Sequence, residues 1–370
     1  MKFSCETALL SNAVSCVARA VTSKSSLATL EGILIRTNQN EIILSGYDLE
    51  IAMQTKISAD IVTEGCTVLN AKILGEILRK LPSDRVTIEI YDVNKALITG
   101  GTSEFTIIAL DANEYPELPK LDDEKSFSVN AETLRSMISQ TVFAVSTADD
   151  RPIYKGILFE LNNNVLKLVS ADGCRLAIRK EEINDNGEFS FVVPSKGLNE
   201  ILKIIGEDGD FDIKISVSRR HIEFTIKDYI LISRLLEGEF FNYNNNSVIP
   251  EGELTVVVSD TKEMLNLIER ISLVISDRVK SPIRCTVKDN QVYMRCSTIN
   301  GKSSDFLSCD ISGEEQEIGF NSRFFIDALR AVDTDKVKVV INGPQRPIKI
   351  LPLEGEDFLF IVVPVIMKAE

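Results

Sequence analysis

The sequence predicts an α+β chain of three tandem, similar domains, each an antiparallel sheet carrying helices. Three observations predict it. A helix with a strand-like entry recurs: Val68-Leu69-Asn70-Ala71-Lys72 running into ILGEILRKL, Val192-Val193-Pro194-Ser195-Lys196 into GLNEILKII, and Gly319-Phe320-Asn321-Ser322-Arg323 into FFIDALRAV. The starts at Ala71, Ser195 and Ser322 lie 124 and 127 residues apart, and self-similarity at a fixed period marks a repeat architecture. Alternating strands joined by short turns follow each helix, and a second helix-plus-strands element precedes it.

In chain order, Phe3 leads into TALLSNAVSCVARAV, with apolar Leu10, Ala13, Val14, Val17 and Val21 at helical spacing. Phe127 leads into AETLRSMISQTVFAV, with Leu134, Met137, Ile138 and Thr141/Val142 on one face, and Val257 leads into TKEMLNLIERISLVI. Strand pairs follow: Gly32 to Arg36 with Glu41 to Ser45, Gly156 to Glu160 with Val165 to Val169, and Ile283 to Val287 with Gln291 to Cys296. The second helix of each unit is followed by strands over Arg85 to Leu110, Asp210 to Leu235 and Lys336 to Val363. One unit therefore reads helix, strands, helix, strands. The units fall at 1–122, 123–251 and 252–370, and short turns between strands make the sheets mostly antiparallel.

Composition bounds the class. The 370 residues are 44% hydrophobic and 26% charged, enough for real cores and ordinary for a soluble globular protein. No Pro-rich or Gly/Ser-rich linker separates the units, so the domains abut. The seven cysteines are odd in number and form no C-x-x-C pair, which argues against a disulfide framework or a structural zinc site. Thr7 to Ala20 ends in small residues, but Glu6, Asn12 and Arg19 break any continuous apolar core of a signal peptide, and an amphipathic helix accounts for it better. No stretch approaches a transmembrane span. The expectation is a soluble, intracellular protein with reduced cysteines and no membrane association.

The net charge of −14 argues against loose adhesion to nucleic acid, but its distribution qualifies that. Taken as 7–24, 71–81, 131–147, 195–205, 260–280 and 322–332, the six helical segments carry 14 basic and 8 acidic residues, a net of +6 against −20 elsewhere. An acidic shell bearing basic helices attracts a polyanion on one surface only. Helix propensity alone also favours Lys and Arg, so the charges by themselves leave both readings open. If the helices share one side of a curved sheet and pack roughly 8–10 Å apart, twelve of them from two chains span a circumference of roughly 100–120 Å, wide enough for a hydrated B-form duplex. Head-to-tail pairing can close by two-fold rotation.

Enzyme readings fare worse. Asn300-Gly301-Lys302-Ser303 looks like the tail of a P-loop, but Cys296 stands where the motif needs its first Gly, and a turn between strands accounts for it. The single histidine, His221, follows Arg219-Arg220 in a predicted hairpin turn, which excludes multi-His metal sites and disfavours a Ser-His-Asp triad. The carboxylates form no D-x-D or E-x-x-H cluster. A metal-dependent nuclease and a scaffold that never meets DNA are the competing classes; Mg²⁺-dependent cleavage would mark the first and failure to stay on circular DNA the second. The expectation is no enzyme, no metal and no cofactor.

Four segments carry a family resemblance: Ser170-Ala171-Asp172-Gly173-Cys174-Arg175-Leu176-Ala177, Ile318-Gly319-Phe320-Asn321-Ser322-Arg323, Gly46-Tyr47-Asp48-Leu49-Glu50 and Val192-Val193-Pro194-Ser195-Lys196-Gly197. With them the whole chain, from Met1-Lys2-Phe3 to the C-terminal strand, resembles the bacterial replicative sliding clamps, the beta subunits of DNA polymerase III. The resemblance implies the DNA clamp fold, with sheets outside and helices lining the bore of a ring. It implies a homodimer loaded onto duplex DNA by an ATP-driven clamp loader. It also implies a hydrophobic pocket between the second and third units, where the polymerase III alpha subunit, the loader and repair proteins insert a short peptide. The matching positions are Tyr154, Ser170, Gly173, Cys174, Arg175, Leu176, Phe240, Phe241, Tyr243, Val362, Val363, Pro364 and Val365. The family usually carries His at Cys174 and Pro at Phe241, and its loop before Ile249-Pro250 usually carries Arg where Asn244-Asn245-Asn246-Ser247 stands here; these departures bear on peptide preference. For DNA, the resemblance implies Lys24, Lys196 and Arg278, and the helix argument adds Arg19, Arg79, Lys80 and Arg135. Such contacts go to phosphates and read no sequence. At the dimer seam, Phe105 and Ile107 are expected to meet Val274 and Ile275; ordinary core packing accounts for these four residues equally well.

Overall fold

The computed structural model describes residues 1–92, 94–122, 125–185, 187–207, 209–276 and 281–367. Six α-helices stand among them: α1 (Thr7–Val17), α2 (Ala71–Lys80), α3 (Ala131–Val142), α4 (Ser195–Ile205), α5 (Thr261–Ser272) and α6 (Ser322–Ala331). The strands of the first repeat are β1 (Lys2–Glu6), β2 (Gly32–Asn38), β3 (Glu41–Tyr47), β4 (Ile51–Ser58), β5 (Asp60–Thr63), β6 (Cys66–Asn70), β7 (Arg85–Asp92), β8 (Lys95–Gly100) and β9 (Ser103–Leu110). Those of the second are β10 (Lys125–Asn130), β11 (Gly156–Asn162), β12 (Val165–Ala171), β13 (Arg175–Glu182), β14 (Phe189–Pro194), β15 (Asp212–Val217), β16 (His221–Ile226) and β17 (Tyr229–Arg234). Those of the third are β18 (Thr255–Asp260), β19 (Ile283–Lys288), β20 (Gln291–Thr298), β21 (Gly301–Ser308), β22 (Asp310–Gly313), β23 (Gln316–Phe320), β24 (Lys336–Ile341), β25 (Ile348–Pro352) and β26 (Phe358–Val362). The three tandem, sheet-rich repeats of the sequence are present.

Local chemistry sets these boundaries. Asn70, Asp260 and Asn321 cap α2, α5 and α6, each side-chain oxygen accepting a first-turn N–H at 3.0 Å. Helix α1 stops at Val17, with a single 3₁₀ turn to Ala20, and does not reach Lys24 as the spacing suggested. The cause lies in the polar run after it: Thr22 Oγ1 donates to the Lys24 carbonyl, and Ser25 Oγ accepts from Leu27 N, so side chains satisfy backbone groups that a helix would otherwise use. Helices α3 and α5 likewise end earlier than expected, at Val142 and Ser272. The six observed helices carry ten basic and six acidic residues, a net of +4, so the bias survives in reduced form. The hairpins β2–β3, β11–β12 and β19–β20 turn at Gln39, at Asn163-Asn164 and at Asp289-Asn290, all with positive φ. Such backbones match the twist of paired strands, and Asn and Asp tolerate them best.

The chain forms two compact units, Met1–Glu132 with Lys196–Leu235, and Thr133–Ser195 with Leu236–Glu370. Unit 1 holds a 13-stranded sheet in the order β10-β15-β16-β17-β4-β3-β2-β6-β9-β8-β7-β1-β5. Unit 2 holds a 9-stranded sheet, β14-β11-β12-β13-β26-β25-β24-β18-β22, and a 4-stranded one, β21-β20-β19-β23. Pairing is antiparallel, including the two junctions that join different repeats, β17 to β4 and β13 to β26. In unit 1, α1 and α2 bury Leu10, Val14, Val17, Leu74 and Leu78 against Phe3, Ile33, Ile35, Leu44 and Val86. In unit 2, α5 and α6 bury Leu267, Ile268, Ile271, Phe325 and Leu329 against Ile283, Val339 and Phe360. Each such side chain contributes roughly 1.5–3 kcal/mol by leaving water. All seven cysteines are free thiols; burial pushes Cys5 and Cys285 up to about 12, so they act as apolar fillers.

Candidate functional site

The site begins at the turn between β12 and β13. Asp172 Oδ1 accepts the N–H groups of Cys174 (2.9 Å) and Arg175 (3.1 Å), closing the loop around Gly173. Gly173 has φ +90, and an added Cβ there meets no atom within 4 Å, so the backbone alone demands glycine. Arg175 Nε donates to Asp172 Oδ2 at 2.9 Å and Nη1 to Asp327 Oδ2 at 2.6 Å. Its guanidinium lies 4.9 Å from the Phe324 ring centre and 5.6 Å from that of Phe143. Two carboxylates therefore hold the arginine, and aromatic faces cover it.

Beneath the turn, Ser170 is fully buried, and its Oγ donates to the Thr141 carbonyl at 2.5 Å. Leu176 is buried in a cluster with Leu158, Val169, Ile178, Val192, Tyr243 and Ile361, and pairs with Ile361 across β13 and β26. The segment after β17 crosses this surface. Tyr154 meets Phe240 and Phe241 edge-on at 5.3 and 5.8 Å, and Phe240 and Phe241 stack at 5.4 Å. Tyr243 is buried, and its hydroxyl donates to Glu160. Burial first, then the Glu160 carboxylate, pushes that phenol well above its ordinary value. Beyond β26, Val363 N donates to the Cys174 carbonyl (2.9 Å) and Val365 N to the Gly319 carbonyl (2.8 Å), which lays the chain end beside the turn.

The structure thus gathers these residues on one surface of unit 2. Ser170, Leu176, Tyr243 and Val362 are buried foundations; Gly173, Cys174, Val363 and Val365 are exposed; Tyr154, Arg175, Phe240, Phe241 and Pro364 are half-buried. The surface offers aromatic and aliphatic contacts beside fixed polar groups, which suits a short peptide with apolar anchors. Sequence reasoning missed Asp327, Phe324 and Phe143 around Arg175, and Ile153, Leu236, Val248 and Ile249 in the cluster. The flanking apolar residues carried a weak signal; Asp327 had been counted only as a helix charge.

The basic candidates divide differently. Arg79 and Lys80 are exposed in the last turn of α2, and Lys24 is exposed in the loop after α1. Arg19 Nε lies 3.9 Å from Glu200. Lys196 Nζ bridges Asp48 and Glu50, both at 2.7 Å, and its charge is answered within unit 1. Arg135 is half-buried on α3 and engaged by a partner. Arg278 lies outside the described residues. At the expected seam, Phe105 is partly exposed, and Ile107 packs against the unit 1 core. Val274 and Ile275 pack against the unit 2 core. The P-loop look-alike is the hairpin turn of β20 and β21, where Thr298 pairs with Gly301. Among the described residues, no helix is long and apolar enough to cross a membrane.

Family models for the DNA polymerase III beta subunit match nearly the whole chain: the N-terminal domain over residues 1–119, the central domain over 128–242 and the C-terminal domain over 246–366. The chain belongs to this family, the bacterial beta sliding clamps. The Bacillus subtilis beta sliding clamp is 31% identical over 379 residues, covering 99% of each chain, and that of Halalkalibacterium halodurans is 33% identical over 364 residues, covering 94% of this chain and 95% of its own. The crystal structure of the Bacillus subtilis DNA polymerase sliding clamp superposes with a TM-score of 0.96 at 30% identity over 100% of both chains. A putative DNA polymerase III beta subunit from Eubacterium rectale gives 0.94 at 34% identity, covering 99% of both. The protein is a DNA sliding clamp of DNA polymerase III, a non-catalytic processivity factor in replication.

Proposed function

We propose that two copies of the chain close head to tail into a ring around duplex DNA, with helices lining the bore, and that the ring slides while tethering polymerase and repair proteins. A pair of open sheet edges carries the reading. Strand β9 pairs with β8 along Ser103–Ile108 but with β6 only at Ala109 and Leu110, which leaves one edge of 103–108 unpaired among the described residues. Strand β21 is the edge of the 4-stranded sheet. Both edges expose large apolar side chains: Phe105 and Ile108 at one, Phe306 at the other with Leu273 and Ile299 nearby. Open apolar edges invite aggregation unless a partner strand covers them. Pairing β9 of one copy with β21 of the other supplies that cover at both seams, and Val274 and Ile275 stand at the same end of unit 2 as β21.

The surface around Leu176, Tyr154, Phe240 and Phe241 receives a short peptide from the polymerase III alpha subunit, the clamp loader or other partners carrying a similar motif. Exposed cations such as Lys24, Arg79, Lys80 and Arg278 attract phosphates without reading bases. Lys196 joins them only when its carboxylate partners release it. An ATP-driven loader opens the ring, which works in the cytoplasm on the nucleoid. The repeats, bounded at 1–122, 123–251 and 252–370, are its domains.

Light scattering on a sizing column at micromolar concentration is expected to give twice the 41.1 kDa chain mass, with Phe105→Glu shifting it to one. Loaded rings should stay on circular DNA and run off once it is linearised. A strict monomer at every concentration would sink ring closure.

A further inference from the structure

We infer that unit 1 holds a second binding cleft, for a short extended peptide that alternates apolar side chains with carboxylates, on the sheet face crossed by residues 112–121. Leu34 on β2, Ile43 on β3, and Ile230 and Ile232 on β17 alternate with fully buried neighbours such as Ile33, Leu44 and Leu231. The two-residue period of a strand turns them to the face opposite the core, where they need cover.

The cover is incomplete. Tyr115 anchors the crossing segment, buried, with its hydroxyl donating to the Ser45 carbonyl at 3.4 Å. Between that segment and the strands lies a cleft of about 660 Å³, within the usual range of roughly 300–1,000 Å³ for ligand sites. Strand register identifies the equivalent face in unit 2. Ile232 and Ile230 pair with Ala52 and Gln54 of β4, as Ile361 and Leu359 pair with Leu176 and Ile178 of β13. There Phe240, Phe241 and Tyr243 fill the face. In 112–121 Tyr115 is the single aromatic residue, so space remains.

The floor and rim choose the ligand. Gln54 Nε2 donates to Ser45 Oγ at 3.0 Å, which leaves the amide oxygen and one N–H for a peptide backbone. Arg36 and Lys120 line the cleft without an ion pair among the described residues. Of the two lining carboxylates, Glu223 already accepts from Thr225 Oγ1. The unspent charge is positive, and the apolar floor takes every second side chain of an extended chain. The cleft lies wholly within unit 1 and needs neither DNA nor a second copy.

The test uses the full chain with isoleucine methyls labelled for NMR, titrated with acetyl-Leu-Asp-Leu-Asp-Leu. Saturable shifts are expected at Ile43, Ile230 and Ile232. Arg36→Gln should weaken binding about fivefold, the upper worth of an exposed ion pair. A Leu-Lys counterpart should leave these methyls unmoved. Silence at the three methyls with millimolar peptide, equal binding of the lysine peptide, or shifts confined to Ile153, Ile249 and Ile361 overturns the proposal.

Discussion

The chain builds one carboxylate-capped turn twice and spends it differently. At Asp48, the carboxylate accepts the N–H groups of Glu50 (3.0 Å) and Ile51 (2.9 Å); at Asp172 it accepts those of Cys174 and Arg175. In both, the Asp N–H donates to the carbonyl three residues on, Ile51 or Arg175. The third position has positive φ in each, but it is Leu49 in one and Gly173 in the other. The fourth position decides the outcome. Ile51 is apolar and buried, so the second oxygen of Asp48 is left for Lys196, 148 residues away in sequence. Arg175 instead turns back on its own turn and reaches on to Asp327. The first turn becomes a clip between two repeats within unit 1, while the second becomes a rigid wall of the candidate peptide surface. A shared local motif does not carry a shared role; the residue after it assigns the role.

Arg175→Met breaks the comparison hardest. The side chains of Arg175, Asp172 and Asp327 are only 11%, 16% and 26% exposed, and the change leaves two carboxylates facing each other without a cation. A loss of about 3 kcal/mol is expected by urea unfolding, recovered in part by adding Asp327→Asn. No recovery would mean that the arginine acts through its packing on Phe324 alone.

Lys196→Met should cost less, about 0.5–1 kcal/mol, because its side chain is 47% exposed and solvent screens the pair. Burial lowers the pKa of Lys196, but Asp48 and Glu50 outweigh it, and the ammonium titrates above the ordinary 10.5. A raised base stabilises the fold below its unfolded pKa and loses that contribution as pH rises through the folded one. The wild-type advantage should therefore stay flat from neutrality to near pH 10 and fade above it, which paired melts across that range would check. Leu49→Gly sharpens the comparison most gently. A left-handed backbone costs an L-residue about 1–2 kcal/mol, and glycine returns about half of that as chain entropy, so a gain of about 0.5 kcal/mol in urea is expected. A loss would show that the Leu49 side chain, though exposed, makes a contact worth more than its strain.

Much of this was legible before folding. The helices, hairpins and their threefold recurrence follow from periodicity and turn chemistry, which act over a few residues. Leu134, Met137 and Ile138 were read as a buried face and are fully buried. The peptide surface was legible through the residues around Asp172 and the aromatic run Phe240, Phe241, Tyr243. The end of α1 was misread because serine and threonine side chains compete for the backbone after Ala20, an effect outside hydrophobic period. Lys196 was read as a free cation because its carboxylates stand far away in sequence.

By itself, then, the sequence determined the repeated units, their secondary structure and the family, because each depends on local patterning carried by the chain. Only the tertiary structure decided that β17 joins β4 and β13 joins β26, that Arg175 is held by Asp327, and that one crossing segment fills its sheet face while the other leaves a cleft. Those outcomes depend on which distant surfaces meet and on side-chain volume at the meeting place, and no local period encodes either.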